Sequence, residues 1–517
     1  MSALSKTFDA IIIGSGFGGS MVAHALVNAG KRVLMLERGK WVERGDHNWL
    51  PNATIDLSPH YTKESPYRVL AGGNSPTMGT YSCVGGPSVF YGGVSLRFRE
   101  RDFEATSEIV GDSGAEWPYD YSQLEPYYSK AEQILDIAGD ASVDPTEPPR
   151  SQDYPQQPGP LSYTSGMVRK AALKLKLHPF RLPLAINYQQ GDGQAACISC
   201  PTCDTFSCAI EAKNDLATKI LPGLIKQGLI LKPRHVVTRL KSENRVITGV
   251  VAFDKTSDQV TEYRADTVVL SAGALASPHL LLASGLQNFN PGGHVIGRYL
   301  TRHCNAISFG FFPKRPDPNN EFHKQLAIHD YYFGHESIEN PKGKLGSIQQ
   351  LQTPPIGLVH GLLPKPLGKL VGLGVPHLTG LLVMAEDQPQ HGNRIEIDPT
   401  QKDRFGLPQP LITHHYTSRD HAARAVLVKK ASRILKQAGA WFCYTHKIKT
   451  FSHAVGTVRM GTDPQSSALD PSCKFRGIDN LYVVDGSFMP TSGGLNPSLT
   501  ISANALRVGE HLLGSMN

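Results

Sequence analysis

The sequence predicts an α/β fold that opens on a nucleotide-binding βαβ unit, and three observations predict it. An unbroken apolar run, Phe8 to Ile13, has the length and composition of a strand covered on both faces. Gly14, Gly16 and Gly19 follow it at once in G-x-G-x-x-G spacing. A helical pattern over Met21 to Ala29 and a second apolar strand, Arg32 to Leu36, then end on an acid, Glu37.

Each element has its physical reason. Gly14 permits a tight turn, Gly16 lets the backbone approach a pyrophosphate, and Gly19 lets helix and strand pack closely. The helix N-terminus offers unpaired N–H groups and partial positive charge to phosphates. Glu37 stands where a carboxylate accepts from both ribose hydroxyls, which favours a free 2′-OH over a 2′-phosphate. The turn alone does not separate NAD from FAD. Its place at the start of the chain, with Glu37-Arg38-Gly39 after the second strand, favours FAD.

Bulk composition narrows the classes. The 517 residues are 40% apolar and 19% charged, ordinary for a globular protein, with room for about three domains. The formal charge of +7 is spread along the chain without a run of five basic residues, so no nucleic-acid partner is expected. No apolar run is long enough to span a bilayer, so no transmembrane segment is expected. Met1 to Thr7 is too short and polar for a secretory signal. Cytoplasmic residence is the expectation, with export alongside a signal-bearing partner left open.

The carboxyl end carries further motifs. His453-Ala-Val-Gly-Thr-Val-Arg-Met-Gly461 is followed by Asn480-Leu-Tyr-Val-Val-Asp-Gly-Ser487, then by Pro490-Thr-Ser-Gly-Gly-Leu-Asn-Pro-Ser-Leu-Thr-Ile501 and a final helix to about Leu513. Upstream lie Gly273-Ala-Leu-Ala-Ser-Pro-His-Leu-Leu-Leu-Ala-Ser-Gly-Leu286, Gly297-Arg-Tyr-Leu-Thr-Arg-His303, and Val84-Gly-Gly-Pro-Ser88 before Gly92-Gly93. Together these segments resemble the glucose–methanol–choline (GMC) oxidoreductases from residue 8 to residue 513. The sequence departs at Gln287, where that family usually has glycine. Apart from any resemblance, Thr267 to Ser271 and Leu481 to Val484 read as buried strands, the second delivering Asp485 and Gly486 to the end of a parallel sheet.

The resemblance implies a Rossmann-like FAD-binding domain built from 1–160, 195–310 and 450–517. It is interleaved with an α+β substrate domain on an antiparallel sheet, from 161–194 and 311–449. Within the latter, Arg394 to Asp398 alternates as a half-buried strand, and Ser418 to Gln437 is an amphipathic helix with Ser418 as its expected N-cap. The resemblance puts Gly85, Gly86, Ser88 and Gly273 at the cofactor, Asp485 and Gly486 on its ribityl chain, and the backbone near Val237 at its adenine. Asn496 and Pro497 open the last helix towards the flavin pyrimidine edge. Some relatives tether FAD through a histidine in the first signature region; here that stretch reads Val89-Phe90-Tyr91, so non-covalent FAD is expected, with Phe90 or Tyr91 packed near the ring.

For chemistry, the resemblance singles out His453 and Asn496. Oxidising a C–H/O–H pair needs a base for the hydroxyl proton and a hydride acceptor. A neutral imidazole suits the base, an amide N–H can donate to the developing alkoxide, and flavin N5 takes the hydride. His279, His303, His391, His414, His415 and His421 read as packing or surface residues. Cys197, Cys200, Cys203 and Cys208 have spacing that suits an Fe–S cluster or zinc; free or disulfide-linked thiols are the other reading. The apolar, Gly/Pro-punctuated stretch Pro354 to Val383 reads either as a lid with peripheral membrane contact or as a buried part of the substrate domain.

The expected activity is FAD-dependent oxidation of a small-molecule alcohol to a carbonyl. A lyase with redox-silent FAD, the catalytic subunit of a dehydrogenase complex with an electron-acceptor partner, and a binding protein with a dead site are the alternatives.

Overall fold

In a computed structural model, which describes residues 8–70, 76–191, 193–354, 356–357, 366 and 371–516, Phe8–Ile13 is the centre of a five-stranded sheet. The order is Leu481–Val483, Ala265–Leu270, Phe8–Ile13, Val33–Leu36, Ile230–Lys232, every pair parallel. Ile13 lies beside Leu36 on one side and Leu270 on the other, and Val483 continues the row. The carboxyl ends of these strands therefore meet along one edge, where parallel sheets bind ligands. Ala10 to Ile13 are buried, with the helix Phe17–Asn28 packed on the sheet, while Asp9 at the strand's start stays partly exposed and pairs with Arg32. The helix Phe17–Asn28 packs on the last helix, Ser498–Ser515, which also meets Tyr121–Leu135.

A six-stranded antiparallel sheet runs Phe442–Lys447, Cys304–Phe311, Leu378–Ala385, Gly346–Leu351, Leu326–Ile328, Phe180–Arg181. Side chains alternate between its faces. Ala306, Ile348, Leu381 and Val383 share a core with Ala423, Leu427 and Ile434 of the helix Ser418–Gln437. Gln349, Leu382 and Ile307 are paired in one row on the opposite face.

The helix N-cap is Thr417 rather than Ser418. Its side chain accepts from the Asp420 N–H, and Asp420 bonds back to the Thr417 N–H. Both candidates carry a hydroxyl, but only Thr417 has an acceptor side chain three residues on; Ser418 would have His421 there.

A mixed sheet of Arg394–Lys402, Pro408–Thr413, Tyr61–Leu70 and Thr77–Tyr81, and a three-stranded meander of His235–Glu243, Val246–Asp254 and Gln259–Tyr263, complete the architecture. The chain is α/β, a parallel nucleotide-binding sheet joined to an antiparallel one. Most of the proposed lid lies outside the described residues, which lack 355, 358–365 and 367–370; its far end is the strand Leu378–Ala385. Among the described residues no helix is long and apolar enough to cross a membrane.

Candidate active site

The first turn is built as its glycines require. Gly14 has φ +99°, and a Cβ there would stand 2.3 Å from the Ser271 carbonyl oxygen. A Cβ on Gly19 would stand 2.1 Å from the Gly14 carbonyl oxygen. Gly16 differs, because it has extended backbone and a Cβ there would meet nothing within 4 Å. It caps the helix Phe17–Asn28, which has no side-chain cap and no acid in its first turn. Open space in front of an uncapped helix end fits a pyrophosphate.

Glu37 closes this cradle. One carboxylate oxygen accepts from the Ser15 N–H at 3.1 Å and the Ser15 hydroxyl at 2.6 Å, and the other from the Gly39 N–H at 2.8 Å. The Ser15 hydroxyl accepts in turn from the Gly85 N–H at 2.9 Å. Gly86, at φ +57°, would bring a Cβ within 3.3 Å of Gly16. Ser88 donates to the Gly85 carbonyl at 2.7 Å and accepts from the Leu216 N–H at 3.1 Å, so this loop is fixed against the turn. The Glu37 carbonyl also accepts from the His235 N–H at 2.8 Å, which sets the strand bearing Val237 beside the same edge.

The neighbouring strand ends supply Gly273 and Asp485. Asp485 accepts from the Gly273 N–H at 3.0 Å, from the Ser277 hydroxyl and from the Ser487 N–H at 2.9 Å. Burial pushes its carboxyl above the usual range against these donors. Gly273, at φ +93°, faces open space. The Gly486 carbonyl accepts from the Gly456 N–H at 3.1 Å, tying this strand end to the segment that bears His453.

His453 and Asn496 sit on one connected loop cluster. Burial, then the nearby His303 and Lys324, push the His453 imidazole well below its ordinary pKa. Its Nδ1 lies 3.1 Å from Nδ1 of His303, whose Nε2 lies 3.1 Å from the Ser492 carbonyl. Four residues on, the Asn496 side-chain oxygen accepts from Gln349 Nε2 at 2.9 Å. That contact fixes the amide, leaving its NH2 as the free donor. Gly494 packs on the same strand: a Cβ there would stand 2.5 Å from Gly346 Cα. Pro497 is the N-cap of the helix Ser498–Ser515, which has neither an acid in its first turn nor a side-chain cap.

Three of these residues escaped the sequence reading. His303, which reads from the sequence as a packing residue, touches His453. Asp387 accepts from the backbone N–H groups of Arg302 and His303, each at 2.9 Å, and from the Ser492 hydroxyl at 3.0 Å. Gln349 lies within an alternating strand that carried no motif. The one available signal was the Gly297–His303 segment, read only as a family mark.

Of the two readings of Cys197, Cys200, Cys203 and Cys208, the Fe–S cluster or zinc finds no support and the free thiols do. Among the described residues no three His, Cys, Asp or Glu side chains are placed to hold a metal ion. All four are free thiols. Burial pushes the Cys197 thiol up to about 11 and the Cys203 thiol well above its ordinary value. The loop is held instead by buried Lys213, whose ammonium donates to the carbonyls of Tyr91 at 2.8 Å, Cys203 at 3.1 Å and Phe206 at 2.7 Å. Close cysteine spacing thus reflects a loop wrapped on a lysine rather than converging ligands.

A parallel sheet with an uncapped glycine cradle, an acid at the end of its second strand and a half-buried histidine fits a dinucleotide-dependent oxidoreductase. The chain belongs to the GMC oxidoreductase family, matching it over residues 8–305 and 389–505. It is 30% identical to a 6‴-hydroxyparomomycin C oxidase of Streptomyces lividus, across 97% of this chain and 90% of that one. It is 26% identical to a 2-methyl-1,2-propanediol dehydrogenase of Mycolicibacterium austroafricanum, across 99% and 96%. The fold is that of a pyridoxine 4-oxidase from Mesorbium loti, with TM-score 0.67 and 19% identity over 98% and 99% of the two chains. Family membership makes the chain an FAD-dependent oxidoreductase acting on CH–OH donors, and the Gly16 cradle, Glu37 and Asp485 fit that cofactor.

Proposed function

We propose that the protein oxidises an alcohol to a carbonyl, with His453 as the base that takes the hydroxyl proton and Asn496 as the donor to the developing alkoxide. The observation that carries this reading is the half-buried His453, held well below its ordinary imidazole pKa and joined through His303 and Ser492 to the loop that bears Asn496. Gly14, Gly16 and Gly19 with Glu37 would hold the FAD pyrophosphate and first ribose. Gly85, Gly86, Ser88, Gly273, Asp485 and Gly486 would hold the ribityl end, Val237 the adenine, and Asn496 and Pro497 the pyrimidine edge. Bound FAD supplies a two-electron acceptor. Residues 1–160, 195–310 and 450–517 form its domain in this reading, and 161–194 with 311–449 form the substrate domain.

The wall beyond Asn496 supports an alcohol with a hydrocarbon body. Gln349 and the exposed His446 are the polar members of a row in which Leu382 and Ile307 lie between them. The amide steers one end of the substrate while the aliphatic side chains bury the rest. The activity test is a panel of aliphatic alcohols, diols, sugars and amino sugars, each with oxygen and with a dye acceptor. Turnover of aliphatic alcohols or diols is expected. A lyase, or a dead site, would turn over none. Activity with the dye and not with oxygen would favour an electron-acceptor partner; this chain is 25% identical to a fructose dehydrogenase large subunit of Gluconobacter japonicus.

Two further results are expected. Acid precipitation should release all FAD into the supernatant, since Val89-Phe90-Tyr91 offers no histidine for a tether; flavin remaining with the pellet would contradict this. The pH profile of flavin reduction should have a low acid limb. A depressed pKa keeps His453 neutral, and therefore able to accept a proton, until the pH falls well below the ordinary imidazole value of ~6.5. Reduction that declines already from above that value would point to another base.

A further inference from the structure

We infer that His303 is a positioning residue that fixes the tautomer of His453, leaving the lone pair on His453 Nε2 to receive the substrate proton. This rests on the reading of His453 as base.

The geometry begins in the backbone. Thr301 and Val455 form an antiparallel bridge, with N–H to carbonyl distances of 3.1 and 2.9 Å. In that register the residue two beyond Thr301 faces the residue two before Val455, so His303 is opposite His453. Arg302 strengthens the pairing by donating to the carbonyls of Lys449 at 2.7 Å and Thr450 at 2.9 Å. His303 has φ +62°, a left-handed conformation uncommon for a residue with a side chain. Asp387 holds it there through the two backbone N–H groups at Arg302 and His303. The same carboxylate anchors Ser492, whose carbonyl faces the far side of the His303 ring.

The hydrogen-bond chain then admits one solution for a neutral pair. The Ser492 carbonyl has no proton to give, so His303 Nε2 must be the N–H. Neutral His303 therefore offers a lone pair at Nδ1. His453 Nδ1, 3.1 Å away, must carry the proton that fills the gap. His453 Nε2 is left as the basic atom. A free neutral imidazole prefers the opposite form, protonated at Nε2, which would present the substrate hydroxyl with a donor rather than a base. When His453 takes the hydroxyl proton at Nε2, its Nδ1–H still donates to His303; the O–H electron pair stays on the substrate oxygen and closes the carbonyl as the carbon gives up its hydride to the two-electron acceptor that bound FAD would supply. The orienting part that a carboxylate plays in the serine-protease triad falls here to a second imidazole backed by a carbonyl.

The test is ¹⁵N NMR of holoenzyme labelled at histidine, at pH 8, with His453→Asn used to assign the signal. His453 should be protonated at Nδ1 in the unaltered protein. His303→Phe keeps a ring but no nitrogen; it should shift His453 towards the Nε2–H form and slow flavin reduction by an alcohol about 10- to 100-fold. His303→Asn, whose side-chain oxygen stands near the lost Nδ1, should keep the Nδ1–H form and recover most of the rate. His453 protonated at Nε2 in the unaltered protein would overturn the proposal, even if no His303 variant folds. So would a Phe variant with an unchanged tautomer or an unchanged rate. A His453→Ala protein that still reduces its flavin at the normal rate would remove the base reading while leaving the tautomer result intact.

Discussion

His453→Ala should lower the rate of flavin reduction by an alcohol by about 10²–10⁴-fold, the usual contribution of a positioned general base. The loss should fall on the rate at saturating substrate more than on KM, because the proton moves only as the reaction proceeds. FAD content should be unchanged, since the cradle at Gly14–Gly19 is built from other strand ends. His453→Gln keeps polarity without the basic nitrogen and should behave like the alanine variant. A rate within a few-fold of the unaltered enzyme, measured by rapid anaerobic mixing, would refute the assignment.

The second large effect separates cofactor from fold. Gly16→Asp should abolish FAD binding and leave the apoprotein as stable as before, or slightly more stable. The backbone at Gly16 is extended, which any residue adopts, and a Cβ there meets nothing within 4 Å. Aspartate is a favoured N-cap and its charge suits a helix N-terminus. The same carboxylate occupies the pyrophosphate's place and repels it, so affinity should fall on the order of 100-fold or more. Gly19→Ala is the contrast. Its methyl would press on the Gly14 carbonyl oxygen at 2.1 Å, forcing helix from strand. It should cost about 1–3 kcal/mol of stability whether or not FAD is present. Thermal melts of both apoproteins and FAD titration distinguish the two. Equal melting losses would show that Gly16 serves the fold rather than the cofactor.

What the sequence disclosed followed contact range. The first strand, turn, helix and Glu37 are contiguous, so their contacts are local and their pattern was readable. His453 and Asn496 were readable because each lies inside an extended motif. The link between them was not. It runs through His303, which reaches His453 by a bridge between Thr301 and Val455, and through Gln349, which meets Asn496 across a sheet. Gln349 carries no mark in its neighbours, and the Gly297–His303 segment marks a family without saying that its histidine meets His453. The cysteine segment left two readings open for the converse reason. Spacing along a chain suggested convergence in space, whereas Lys213 had gathered the loop's carbonyls and left its thiols free. At the helix Ser418–Gln437 the element was legible and its cap missed by one residue, because Asp420 completes a capping box only with Thr417.

The proposed function joins two properties, binding of FAD and its use to oxidise an alcohol. Mixing the FAD-loaded protein with the alcohol panel under anaerobic conditions, and following the flavin absorption through one turnover, tests it most directly. At least one alcohol should bleach the flavin fully, yielding one carbonyl per FAD. A fully loaded protein whose flavin no alcohol bleaches, though a chemical reductant does, would contradict it.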